Sequence, residues 1–311
     1  MRPMRALAAL ALLATLGARL PAQQGARPGA RQVERGHALD SAGSVRIYNL
    51  AGSVRVIGWR RDSVSIAGSV GAGDRLMSGG GRAGVKVVVE PAEGLAGTGA
   101  TAGATAAARG AELVVRVPRG ARVWVKGGST EVRVTGVTGG LDLNAVDGPI
   151  RVVGSPRELS AETMNGTVSV DGAPAWMRAK TATGAITLRG SGGDVRLSSV
   201  SGAVTVSGGR FDQLAIETVT GKVRVGGAVA PAGALTVDTH AGDVELRLPR
   251  AFAGDIHAAS VTSQIENRLT AARPVAGRGA KGSELHSAGS GGGPRVTVRS
   301  FKGRVELLPA Q

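Results

Sequence analysis

Cysteine is absent from all 311 residues. That excludes disulfides, a thiol nucleophile, thiolate metal sites and a lipid-bearing N-terminal cysteine. Aromatic residues are scarce: three Trp, three Phe and one Tyr. Seven rings are poor material for a conventional globular core, and they leave no base-stacking platform for single-stranded nucleic acid. No reader-helix pattern appears either, so nucleic acid is not an expected partner. The glycine runs at 79–81 and 289–293 open no helix with a Gly-Lys-Ser/Thr ending, which removes a phosphate-loop reading. Beyond the first twenty residues, no apolar run is long enough to cross a bilayer.

What is present is a repeat. An aliphatic residue stands seven positions before a turn residue eight times: Leu141–Gly148, Leu159–Gly166, Met177–Gly184, Val195–Gly202, Leu214–Gly221, Leu235–Gly242, Ile256–Ser263 and Val296–Gly303. An apolar–x–apolar pair follows most of these turns, as in Val168/Val170 and Val204/Val206. Within each unit the alternation has period two, so Leu159, Ala161 and Thr163 share one face of a strand while Ser160 and Glu162 take the other. Small or hydroxylated residues recur at the fifth position (Thr163, Thr181, Ser199, Thr218), where a hydroxyl can bond the turning backbone. Asp147-Gly148 and Asn165-Gly166 suit turns that need positive φ. Successive units start 18, 18, 18, 19, 21 and 21 residues apart. Fixed-period self-similarity of this kind predicts an all-β fold, a parallel β-solenoid in which each short coil of about 18–21 residues stacks on the one before.

The ends and the charge suggest export. Arg2 and Arg5, an apolar run from Ala6 to Ala18 and a small-residue exit at Ala22 read as a signal peptide over 1–22. A polar linker is expected at 23–39, and a less regular strand-rich part at 40–135, with a Gly/Ala loop at 94–110. The repeats fill 136–311, with an irregular insertion at 271–293 long enough to hide a degenerate coil. The expected location is the periplasm, the cell surface or the extracellular space. The formal charge is +15. Removing Arg2, Arg5 and Arg19 leaves 15 − 3 = +12 on the mature chain. A basic exported protein is drawn to anionic envelope polymers, although an arginine-rich, Gly- and Ala-rich composition also accompanies a GC-rich genome.

Three stretches carry a resemblance: Gly43 to Ile66 (GSVRIYNLAGSVRVIGWRRDSVSI), Leu113 to Val152 (opening LVVRVPRGARVWVKGG) and Gly291 to Leu308 (GGGPRVTVRSFKGRVELL). In their order they resemble the bacterial family of β-strand-repeat proteins known as putative adhesins, a domain of unknown function. The resemblance implies surface or envelope association and brings no catalytic residues. The chain departs from that pattern by its Gly/Ala insertion and by Ser263 at a turn-glycine position.

Chemistry is sparse. Of the histidines, only His240 and His257 fall one coil apart, without the spacing or carboxylate frame of a metal site, so no metal and no cofactor are expected. Parallel β-helices often bear polysaccharide lyases or hydrolases, which need clustered carboxylates. Asp142, Asp147, Asp194 and Asp255 fall at different repeat positions, while Asp238 and Asp243 flank one turn and are the residues such an enzyme would use. The densest basic cluster on an outward column is Arg178, Lys180 and Arg196, the candidate contact surface. The expected function is therefore an exported, non-catalytic β-solenoid that contacts envelope or extracellular polymers, with an anionic polymer or an envelope protein as partner. The alternatives are the polysaccharide enzyme or a structural accessory subunit.

Overall fold

The computed structural model describes residues 30–91, 110–277, 281–289 and 291–310. The expected signal peptide and nearly all of the 94–110 loop lie outside them. The described residues contain strands and no helix, joined in one large, mostly parallel sheet. Among them no helix is long and apolar enough to cross a membrane.

Two ladders run side by side, linked by the turns. The first contains Gly140–Ala145, Glu158–Thr163, Trp176–Thr181, Gly192–Ser199 and the second halves of Val204–Thr218 and Val223–Thr239. The second contains Ile150–Val153, Val168–Asp171, Ile186–Arg189 and the first halves of the same two long strands. Every pairing in these stretches is parallel and keeps like residue on like: Leu141 on Leu159, Leu159 on Met177, Met177 on Val195, Val195 on Leu214. The inward column of each ladder is buried, from Leu159 and Ala161 through Ile216 and Val237 to Leu246. A one-residue slip would turn that whole column to solvent, so the alternation itself holds the register.

The fifth-position hydroxyls are buried and bond the turn. Thr218 Oγ1 accepts from Gly221 N at 2.9 Å, Thr239 Oγ1 accepts from Gly242 N at 2.9 Å, and Ser300 Oγ donates to Gly303 O at 2.8 Å. The turn glycines answer to a different constraint from the one the Asp-Gly and Asn-Gly pairs suggest. None of Gly148, Gly166, Gly184, Gly202, Gly221, Gly242 or Gly303 has a positive φ. Instead a Cβ on Gly184 would stand 1.7 Å from Gly166 O, and one on Gly202 1.9 Å from Gly184 O. Close stacking of turn on turn selects glycine here. Positive φ belongs to the opposite corner, at Gly154, Gly172 and Gly190. Ser263 shows what a side chain does to the tight turn. Its N–H still reaches Ser260 Oγ at 3.2 Å, but the inter-rung bond Val305 N to Gln264 O stretches to 3.4 Å, against 2.8 Å for Val244 N to Arg304 O.

The stacking order departs from chain order at both ends. The C-terminal rungs Arg295–Ser300 and Val305–Pro309 do not follow Asp255–Ser260 and Ile265–Asn267. They lie between that coil and the one before it: Val296 pairs with both Leu235 and Ile256, and Val305 with both Val244 and Ile265. At the other end the long strand Ser44–Trp59 is held between Arg122–Thr135 on one side and Gly84–Glu90 with Ala111–Pro118 on the other. Each end is closed by antiparallel strands, Ser283–Ser287 against Asp255–Ser260, and Ser63–Val70 against Ala111–Pro118. Sequential stacking is thus replaced at both ends by intercalation and an antiparallel cap, which at the C-terminal end covers Asp255–Ser260, while Ile265–Asn267 pairs only with Val305–Pro309 among the described residues. Two sequence expectations change with it. The 271–293 insertion supplies Val275–Ala276 and the capping strand rather than a hidden coil. The expected polar linker is, from Arg31 to Ala38, an edge strand antiparallel to Ser63–Val70; its exposed polar side chains suit an edge.

Candidate ligand-binding groove

The outward face of the first ladder and the turns beside it enclose an open groove of about 1030 Å³. Arg178 and Lys180 stand on Trp176–Thr181 and Arg196 is the register partner of Arg178 on the next rung. All three line the groove, as do Trp176 at one end and Arg299 further along. Period-two alternation aims these side chains outward while Met177, Ala179 and Leu197 fill the interior. Arg196 lies 3.1 Å from Asp194, and Arg299 lies 3.6 Å from Asp238. Arg178 and Lys180 form no ion pair among the described residues, so their charges are open to a ligand.

The two aspartates singled out for an enzyme part company. Asp238 faces the groove beside Arg299, whereas Asp243 sits past the turn and accepts from the backbone N–H of Arg304 at 3.0 Å. Asp243 is thus a tie between rungs. The carboxylate that does neighbour Asp238 is Glu217, its register partner on the adjacent strand, and it also lines the groove. The histidines separate as well. His257 faces His286 with ring centres 4.3 Å apart, and His240 stacks on Phe301 at 5.0 Å with planes 10° apart. The inserted C-terminal coil stands between His240 and His257. Among the described residues no three His, Cys, Asp or Glu side chains gather to hold a metal.

Two features escaped the sequence reading. Arg299 and Phe301 reach the groove only because their coil is intercalated, which no local pattern signals. The other is the residue just past the buried fifth position of a rung, Ala145 or a hydroxyl residue, on six of the rungs. Val146, Met164, Val200, Val219, Val261 and Phe301 occupy this position, are exposed and supply six of the ten exposed large apolar residues among those described. This column was readable from the repeat, since it lies one place after Thr163, Ser199 and Thr218.

No protein-family model matches the sequence, and no curated protein matches it. Among solved structures, similarity is found to a putative cell adhesion protein from Clostridium sporogenes, at 9% identity and a TM-score of 0.25, covering 90% of this chain and 100% of that one. Similarity is also found to a putative lipid binding protein from Parabacteroides distasonis, at 9% identity and a TM-score of 0.41, covering 89% of this chain and 96% of that one.

Proposed function

We propose that this chain is an exported, non-catalytic β-solenoid that binds an anionic component of envelope or extracellular polymers through the Arg178/Lys180/Arg196 groove. The observation that carries the reading is the pair of unpartnered cations, Arg178 and Lys180, held on a rigid sheet face inside a concavity. The strand face fixes the spacing of their backbones, so only the two side chains have to be ordered by a repeating anion. Several carboxylates elsewhere are neutralised by arginine, such as Asp171 by Arg151 and Glu245 by Arg247, whereas Arg178 and Lys180 keep their charge within the groove.

Co-sedimentation of residues 23–311 with purified envelope fractions across a salt series tests it. The expected result is saturable binding to one fraction at physiological salt that Arg178→Glu with Lys180→Glu abolishes. Binding to every polyanion that vanishes with modest salt would reduce the charge to composition. The polysaccharide-enzyme reading keeps one specific support, the Glu217–Asp238 register pair within the groove.

A further inference from the structure

The apolar residues beside the groove form a line rather than a scatter. Backbone bonds join the turns rung to rung: Met164 N to Val146 O at 3.0 Å, Ala182 N to Met164 O at 3.0 Å, and Val219 N to Val200 O at 3.2 Å. The inserted coil continues the line, with Phe301 N bonded to Thr239 O at 3.2 Å and Val261 N to Ser300 O at 3.0 Å. His240 would interrupt it, but its ring lies flat on Phe301. Along this line the apolar side chains follow one another at the strand spacing of roughly 4.8 Å. The line is one residue wide, because the next position is polar at Asn165, Thr183, Ser201 and Thr220.

Its width and its charge select the occupant. A stable protein interface needs about 800 Å² from each partner, with a broad apolar centre, which a single file does not offer. A hydrocarbon chain needs a long, narrow apolar track. Val200, Val219, Phe301 and Val261, part of this line, themselves line the groove, and the unpaired Arg178 and Lys180 line it at the Trp176 end. Glu217 and Asp238 lie further along, so an anion is favoured at that end alone.

We propose that the groove seats an anionic amphiphile, the lipid-linked end of an envelope polymer. Its phosphate meets Arg178, Lys180 and Arg196, and its acyl chain lies along Val200, Val219, Phe301 and Val261. This rests on the anion-binding reading above and adds the apolar half of the ligand.

The test is calorimetric titration of residues 23–311 with palmitoyl lysophosphatidylglycerol below its micelle concentration, beside glycerol phosphate and palmitoyl lysophosphatidylcholine. The expected result is saturable binding of the anionic lysolipid, at least tenfold tighter than either control. Val200→Ser with Val219→Ser should weaken it at least tenfold; both side chains are about half exposed, so the fold is retained and circular dichroism confirms it. Lysolipid binding that is absent, or indifferent to the serine pair, overturns the amphiphile. If polymer co-sedimentation persists in that case, the anion-binding function stands alone; if it too is absent, both fall. A dimer in sedimentation velocity that the serine pair dissolves assigns the line to self-association and also overturns the proposal.

Discussion

Arg299 reaches to within 3.6 Å of Asp238 because the last coil of the chain is inserted beside the strand that carries Asp238. The strands Asp255–Ser260 and Ser283–Ser287 lie between the two residues in sequence and beyond Arg299 in space. Both side chains are substantially exposed, so the ion pair itself contributes only about 0–1 kcal/mol. The insertion it marks matters far more, since it buries Val296, Val298, Val305 and Leu307 between two coils.

A chain ending at residue 294 should therefore lose structure well upstream of the cut. With the inserted coil gone, Leu235 and Val237 on one side and Ile256 and Ala258 on the other have no parallel partner there. Hydrogen exchange should show protection lost across 234–239 and 255–260, while 158–199 stays protected. If the strand at 255–260 instead closes directly onto 234–239 and protection survives, the middle coil is dispensable and the expectation fails.

Glycine at the stacked turns is a steric requirement, and that is separable from backbone conformation. Gly184→Ala places its Cβ 1.7 Å from Gly166 O. The backbone must move, so a cost of about 1–3 kcal/mol or more is expected. Gly79→Ala is the control: nothing lies within 4 Å of its added Cβ. Chemical denaturation of the two variants checks this, and equal midpoints would mean that the turns are looser than they stand here.

Ser199 breaks an otherwise bonded hydroxyl column. Its Oγ is buried with no partner, whereas Thr181 Oγ1 donates to Gly184 O at 2.6 Å and Thr218 Oγ1 accepts from Gly221 N at 2.9 Å. Ser199→Thr matches the residues above and below it and directs a hydroxyl at the Gly202 turn. A gain of about 1 kcal/mol is expected, read as a higher Tm. A lower Tm would show that the added methyl is not accommodated on this rung.

Glu266 ties the displaced coil to the inserted one. Arg304 donates to its carboxylate at 2.6 Å, and Arg268 also pairs with it. The hydrogen bond from Arg304, followed by that from Arg268, holds the Glu266 pKa below the ordinary carboxylate value. A carboxylate with a depressed folded pKa contributes stability above its unfolded value and loses it as pH falls through the folded one. Thermal melts of the parent and Glu266→Gln should differ at neutral pH and converge in acid, with the gap narrowing in high salt because the site is exposed. A gap that is constant with pH would place the effect elsewhere.

Much of this architecture was legible because each rung repeats one local code. Leu159 over Met177, the buried hydroxyls and the juxtaposition of Arg178, Lys180 and Arg196 all follow from period two and an 18-residue step. The order of the rungs did not follow, for a physical reason. Leu235, Ile256 and Val296 present nearly the same face, so the code that fixes register does not name the neighbour. One end of the groove inherits that ambiguity, since Arg299 and Phe301 belong to the inserted coil.

The pairing of Glu217 with Asp238 gives the enzymatic alternative its sharpest form. As register partners on neighbouring strands their backbones stand at roughly the 4.8 Å strand spacing. Retaining glycosidases hold two carboxyls about 5–5.5 Å apart, so spacing alone does not dismiss them. Their surroundings do differ from such a site: Arg299 already lies against Asp238, and the groove is open along its length rather than closed over a sugar. Polygalacturonate and polyglucuronate incubated with residues 23–311 should yield neither new reducing ends nor unsaturated products. Glu217→Gln should leave polymer binding intact or strengthen it, since it removes a like charge from the anion's path. Product formation that Glu217→Gln eliminates would make the groove catalytic and end the non-catalytic reading.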